Sequence, residues 1–135
     1  MALAISRELQ QSCPTGFSES DEPYLPTDDA ENAPTVEAQL QDPNSLLHFV
    51  RSLIALRRTH SALASDGSYR TIKSGYPLLF ERGSAEETVR VAINASAKEH
   101  TLTDPDLGEI LFAYNASARD GQITLGSRSC LIYKV

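Results

Sequence analysis

Residues 42–60 form the one long helical pattern in this chain of 135 residues, and the pattern carries more apolar surface than the rest of the sequence can cover. Asp42 offers a side chain for the free N–H groups of a first turn. Pro43 suits the first helical position, where a missing N–H costs nothing. At about 3.6 residues per turn, Leu46, Leu47, Val50, Leu53 and Ile54 share one stripe, and Phe49 and Leu56 widen it to about half the circumference. His48, Ser52, Ala55 and Thr59 lie opposite. An arc of that width packs against two neighbours rather than one. Arg57 falls inside it. Two readings stay open for Arg57. One is a snorkelling cation near a helix C-terminus, which suits the helix dipole. The other is a buried guanidinium that needs a carboxylate, with Glu37 the nearest in sequence.

Residues 1–41 read as an irregular leader and a proline-rich loop. Met1–Gln11 allows a short helix on weak spacing. Pro14, Pro23, Pro26 and Pro34 each push the preceding residue into extended geometry, which excludes a helix and makes a long loop. Glu19, Asp21, Glu22, Asp28, Asp29 and Glu31 make that loop acidic, without the spacing of a calcium loop. The helix belongs to residues 42–64 and stops near His60. From residue 65 to 135 the period changes to two. Strands are expected at Tyr69–Ile72, Leu78–Arg82, Thr88–Asn94, Glu99–Leu102, Glu109–Tyr114, Gln122–Leu125 and Cys130–Val135. Asp120-Gly121 is a hairpin signal, and seven short strands at close spacing read as an antiparallel β-sandwich. About seventy residues is a small core for an independent domain. The fold class is therefore mainly β with one long α-helix.

The net charge of −6 argues against nucleic acid, which wants a basic face. No apolar run spans a bilayer, and Met1–Ile5 is too short for a secretion signal, so a cytoplasmic chain is expected. Cys13 and Cys130 are expected as unpaired thiols. His48, His60 and His100 lack metal-ligand spacing and read as surface residues. No nucleophile elbow, zinc-protease, phosphate-loop or dinucleotide motif occurs. Asn94-Ala95-Ser96 and Asn115-Ala116-Ser117 match the glycosylation sequon but read as strand-exit turns. Gly126–Cys130 reads as a turn entering a strand. From pattern alone there is no catalytic centre, no metal site and no cofactor.

The order of several short motifs resembles a known family. They are Gly16-Phe17-Ser18, Tyr24-Leu25-Pro26, Val36-Glu37-Ala38-Gln39, Asp42-Pro43-Asn44-Ser45-Leu46-Leu47 and Leu53-Ile54-Ala55-Leu56-Arg57. Together they resemble the C-terminal part of α-amylase-family glycoside hydrolases, in the branch of α-glucosidases, oligo-glucosidases and trehalose synthases. In that branch a G-F-S turn and a W-L-P segment follow the last strand of a (β/α)8 barrel. A V-E-x-Q motif leads into the last barrel helix, and an all-β domain follows. Asn94-Ala95-Ser96 and Ile132-Tyr133 resemble strand endings of that domain. The resemblance covers residues 16–135. Tyr24 stands where Trp is usual, Thr15 where Ala is common, and Thr35 where Asn often precedes Val-Glu.

The resemblance implies a retaining glycosidase or glucosyltransferase parent acting on α-glucosidic bonds. Its catalytic Asp, Glu and Asp come from earlier barrel strands that this chain lacks, so no catalytic residue carries over. The chain itself is then structural, and its partner is the otherwise absent barrel, in cis or in trans. By the same resemblance Phe17 contacts sugar at the active-site rim or packs beneath the loop, and Glu37 and Arg57 are structural. An α-glucoside oligosaccharide is a second candidate partner, since the alternative is a stand-alone carbohydrate- or partner-binding module that uses Tyr69, Tyr76, Tyr114 or Tyr133 in place of tryptophan. Without the barrel, the apolar arc of the helix is expected to be exposed or hidden by self-association.

Overall fold

The computed structural model describes Tyr24 and residues 33–135. The chain divides into two compact units, Met1–Arg51 and Ser52–Val135.

In the first unit a short helix, α1 (Val36–Gln41), precedes the long one. The sequence reading placed these residues in the irregular leader. Thr35 caps α1, its hydroxyl accepting from Ala38 N–H at 3.2 Å. Asp42 ends α1 in extended geometry. It therefore does not cap the long helix. Its carboxylate accepts from Asn44 N–H at 2.9 Å and shapes the turn between the helices. The long helix, α2 (Leu46–Thr59), starts after that turn. Ser45 takes over as cap: its hydroxyl donates to Gln39 O at 2.7 Å and accepts from His48 N–H at 3.4 Å. Gln39 Oε1 accepts from Leu47 N–H at 3.0 Å, so a side chain of α1 fills another open donor of α2.

The second unit is an antiparallel sheet. Its strands are β1 (Ser68–Lys73), β2 (Leu78–Gly83), β3 (Thr88–Asn94), β4 (His100–Thr103), β5 (Ile110–Arg119) and β6 (Gln122–Lys134). The chain is mainly β with one long helix, as expected, and the strands share one continuous curled ladder, β1-β2-β3-β6-β4, with β5 also on β6. The first four strands fall where the alternation put them.

The last three expected strands need correction. Two of them are halves of β6. Its first half pairs with β4 through His100↔Leu125, and its second half pairs with β3 through Asn94↔Ser129. Between these, Gly126–Ser129 is a kink within one strand and no turn. Arg128 adopts φ 49° there, and its N–H donates to Ser96 O at 2.9 Å. Strand β5 follows β6 on the other side and runs past Tyr114 to Arg119. Asn115-Ala116-Ser117 is therefore mid-strand rather than an exit turn. Asn115 sits at φ 47°, and the register shifts between Tyr114 and Ala116, a bulge that follows the kink opposite. Gly126 lies against it, and a Cβ there would stand 2.9 Å from the Asn115 carbonyl oxygen. The expected hairpin is present, with Asp120 and Gly121 both left-handed as a tight two-residue turn requires.

The period-two pattern sorts the core into two layers. Leu79, Ala92, Ile123, Leu125, Leu131 and Tyr133 fill one face of the sheet. Val89, Val91 and Ile132 lie on the other, covered by Ala62 of the 3-10 turn Ser61–Leu63 and by half-buried Leu53 and Leu56 of α2. The expected helix arc is thus divided. Leu53 and Leu56 pack on the sheet, while Leu46, Val50 and Ile54 stay 69%, 43% and 47% exposed.

Candidate functional site

The sequence-predicted residues do not converge on a reaction centre. Phe17 lies outside the described residues, as do Cys13 and the acidic loop. Glu37 is exposed in the first turn of α1. Arg57 is exposed near the end of α2, which fits the snorkelling alternative and removes the buried pair. Neither Glu37 nor Arg57 joins an ion pair among the described residues. No group of three or more His, Cys, Asp or Glu among those residues could hold a metal ion.

Three arrangements organise the second unit, and the sequence reading missed the first two. The first is a row of paired positions running Arg70, Glu81, Arg90 and Tyr133 across β1, β2, β3 and β6. Arg90 Nε donates to Glu81 at 3.0 Å, and Arg70 Nη2 donates to the other oxygen of Glu81 at 2.7 Å. Arg90 Nη1 donates to both oxygens of Asp104 and, at 3.1 Å, to Asp106. The Tyr133 hydroxyl donates to Asp104 as well. The hydrogen bond from Arg70, aided by Arg90, holds the Glu81 carboxyl below its usual range. Burial works against the charge on Asp104, but bonds from Tyr133 and Arg90 outweigh it and keep its pKa low. Burial and then Asp104 push the Tyr133 hydroxyl up.

The second arrangement centres on Glu87, between β2 and β3. It accepts from His60 Nδ1 at 3.0 Å, Ala62 N–H at 3.2 Å and Lys134 Nζ at 3.3 Å. These bonds, His60 first, bring its pKa down to about 2. His60 is thus mostly buried and no surface histidine. Glu81, Asp104 and Glu87 are all shifted downward, opposite to the raised pKa that a proton-donating acid needs.

The third arrangement is at Asn94, whose side chain is fully buried. Its Nδ2 donates to the carbonyls of Lys98, Leu125 and Gly126, and its Oδ1 accepts from Ser96 N–H and Ser96 Oγ. This is a strand-exit turn, as expected of Asn94-Ala95-Ser96. Cys130 is a free, half-buried thiol whose pKa burial pushes up to about 11. Of the tyrosines considered for sugar stacking, Tyr133 is fully buried, and Tyr69, Tyr76 and Tyr114 are exposed.

On the helix-side face of the sheet a cleft of about 610 Å³ opens beside Phe80, Val91 and Ile132, with Arg57 and Arg82 on its wall. Its floor is apolar, and the two guanidiniums are its charged groups.

No family model matches the chain. The oligo-1,6-glucosidase of Parageobacillus thermoglucosidasius is 31% identical over 86 residues, 62% of this chain and 15% of that enzyme. The crystal structure of the trehalulose synthase MutB from Pseudomonas mesoacidophila superposes with a TM-score of 0.74 at 29% identity, over 84% of this chain and 22% of that one. It carries the C-terminal part of the α-amylase-family fold. A MutB mutant in complex with sucrose agrees, with a TM-score of 0.66 and 31% identity over 74% of this chain and 19% of that one. This α-amylase-family region spans less than a quarter of the length of the relatives it matches. The networks around Arg90, Glu87 and Asn94 tie the strands and turns of this sheet to one another.

Proposed function

We propose that the chain is the C-terminal part of an α-glucosidase-type enzyme of the α-amylase family, acting on α-glucosidic bonds in the full-length parent. Within that parent this chain is structural. Its β-domain supports the last barrel helix, and the helix closes the barrel, supplied in cis or in trans. The cytoplasm is the compartment this reading favours. The observation that carries it is the uncovered side of α2. Leu46, Val50 and Ile54 recur every fourth residue and stay exposed while Leu53 and Leu56 are engaged. A stripe of that kind is the mark of a helix with a second neighbour.

The test has two parts. The purified chain is expected to release no nitrophenol from a nitrophenyl α-glucoside. Co-expressed with a barrel lacking its own C-terminal region, taken from the related oligo-1,6-glucosidase, it is expected to co-purify with that barrel. Turnover by the chain alone, or failure to retain a folded barrel, overturns the reading.

A second reading has one observation in its favour. Tyr69, Tyr76 and Tyr114 are 59%, 66% and 51% exposed. Exposed aromatic rings are the usual platform for sugar, so a carbohydrate-binding module remains the alternative. Calorimetric titration with maltose and isomaltose decides it, and a flat trace removes it.

A further inference from the structure

Three hydrogen bonds fix the end of α1 to the first turn of α2. Ser45 Oγ donates to Gln39 O at 2.7 Å, Leu47 N–H donates to Gln39 Oε1 at 3.0 Å, and His48 Nε2 donates to Leu40 O at 3.2 Å. Around this corner the apolar side chains stay open. Val36 is 65% and Leu40 44% exposed, four residues apart on one side of α1. Leu46 and Val50 form the matching pair on α2 and are exposed too. Among the described residues of Met1–Arg51 the one buried residue is Ser45, and it is polar. Helix α1 has only six residues. Isolated helices shorter than about 12–15 residues are marginal in water. The caps at Thr35 and Ser45 satisfy backbone groups but bury no apolar area. The corner is therefore one half of an apolar contact whose other half lies outside the described residues.

The other half has a source. The chain spans less than a quarter of the length of the relatives it matches. Ser52–Val135 is less than two thirds of the chain, so the MutB match over 84% of it extends into Met1–Arg51 as well. On the reading that the chain is the C-terminal part of an α-glucosidase-type enzyme, we propose that the α1–α2 corner, and not α2 alone, is the surface that the parent's barrel covers, and that α1 is held as a helix by that contact. Val36 and Leu40 supply one row of the contact and Leu46 and Val50 the other. None of the four is charged, so the barrel meets them with aliphatic or aromatic side chains of its outer surface.

The test uses the full chain, alone and co-expressed with the oligo-1,6-glucosidase barrel that lacks its own C-terminal region. Hydrogen exchange reads α1 directly. The amides of residues 38–41 are expected to exchange at least about tenfold more slowly with the barrel than without it, while those of β3 and β6 are protected in both states. The double change Val36→Ser with Leu40→Ser is expected to weaken barrel retention about tenfold, the scale of leaving two partly exposed aliphatic side chains uncovered. Ile72→Ser, at a comparably exposed position on β1, is expected to leave retention unchanged. Protection of the β3 and β6 amides in the double variant shows that its sheet is intact. Equal retention of the barrel by the double variant, or an α1 that exchanges as fast in the complex as alone, overturns this inference and leaves the reading of the parent standing. An unaltered chain that retains no barrel overturns the reading itself, and the inference with it. A stable dimer of the isolated chain with α1 protected gives the corner to a second copy and overturns the inference as well.

Discussion

Arg90 Nη1 lies 2.7 Å from Asp104 Oδ1 and 2.9 Å from Oδ2, and the Asp104 residue is only 3% exposed. This pair ties the loop after β4 to the middle of β3. Removing the acid leaves Arg90 with Glu81 and the exposed Asp106. Asp104→Ala is expected to cost about 3 kcal/mol, the lower end for breaking a buried pair, because Arg90 keeps Glu81. Tyr133→Phe, which removes one hydrogen bond to the same carboxylate, is expected to cost about 1–2 kcal/mol. Urea unfolding of the parent, the two single variants and the double variant checks both values and shows that the two losses are not additive.

Glu87 supplies a pH dependence. Its carboxyl has a folded pKa of about 2 against the ordinary 4.5. A lowered folded value means that the stabilisation is fully present above the ordinary value and is lost as pH falls through the folded one. Stability is expected to decline between pH 4.5 and pH 2. Glu81 and Asp104 are shifted in the same direction and add to the acid limb. Glu87→Gln is expected to lose about 2 kcal/mol at neutral pH and to flatten part of that decline. Urea midpoints measured across the acid range test it; an unchanged slope in the variant would assign the pH dependence to other carboxylates.

Asn94 gives a prediction about sign. Its amide nitrogen faces three carbonyl oxygens. Asn94→Ala leaves buried carbonyls without a donor, at about 2–3 kcal/mol. Asn94→Asp puts a carboxylate where those carbonyls need a donor, so it is expected to be worse than Ala despite its closer shape. Thermal unfolding ranks the two. The same burial predicts that Asn94 acquires no glycan when the chain is passed through a secretory host, which mass spectrometry reads directly.

The two sides of α2 predict opposite responses. Leu56 is half-buried against the sheet, so Leu56→Ala is expected to cost about 1–2 kcal/mol, less than a fully buried leucine would. Ile54→Gln on the open side is expected to change the stability of the chain by no more than about 0.5 kcal/mol. Equal losses at the two positions would mean that Ile54 is covered in solution.

Where the physics is local, the residues announced the structure. Val89, Val91 and Ile93 alternate over one uninterrupted run, and β3 has the expected bounds. Asp120-Gly121 supplies the left-handed pair that a tight hairpin demands. The broad arc from Leu46 to Leu56 announced the long helix, of which Leu53 and Leu56 pack on the sheet. What failed was non-local. Asp42 looked like the cap of α2 because nothing revealed that α1 would end on it. Gly126–Ser129 and Asn115–Ser117 have turn composition, but they face each other as a kink and a bulge in paired strands. Their composition serves a bend in a ladder rather than a reversal. Arg90 was visible as a charge inside an apolar run, yet its acids lie one strand away at Glu81 and one loop away at Asp104. Only the register brings them together. The motif order carried the family, while the cleft beside Arg57 depends on residues from three strands and could not be read from one segment.

Strand β6 touches β3, β4 and β5, and it follows all three in the chain. Val91, Ala92 and Leu102 therefore gain their β6 partners Ile132, Leu131 and Ile123 only once residues 122–134 have been made. The sheet then closes in one late, long-range step. Removing residues 122–134 would leave β3, β4 and β5 with no strand in common, so the loss of this one strand dissolves the sheet rather than trimming its edge.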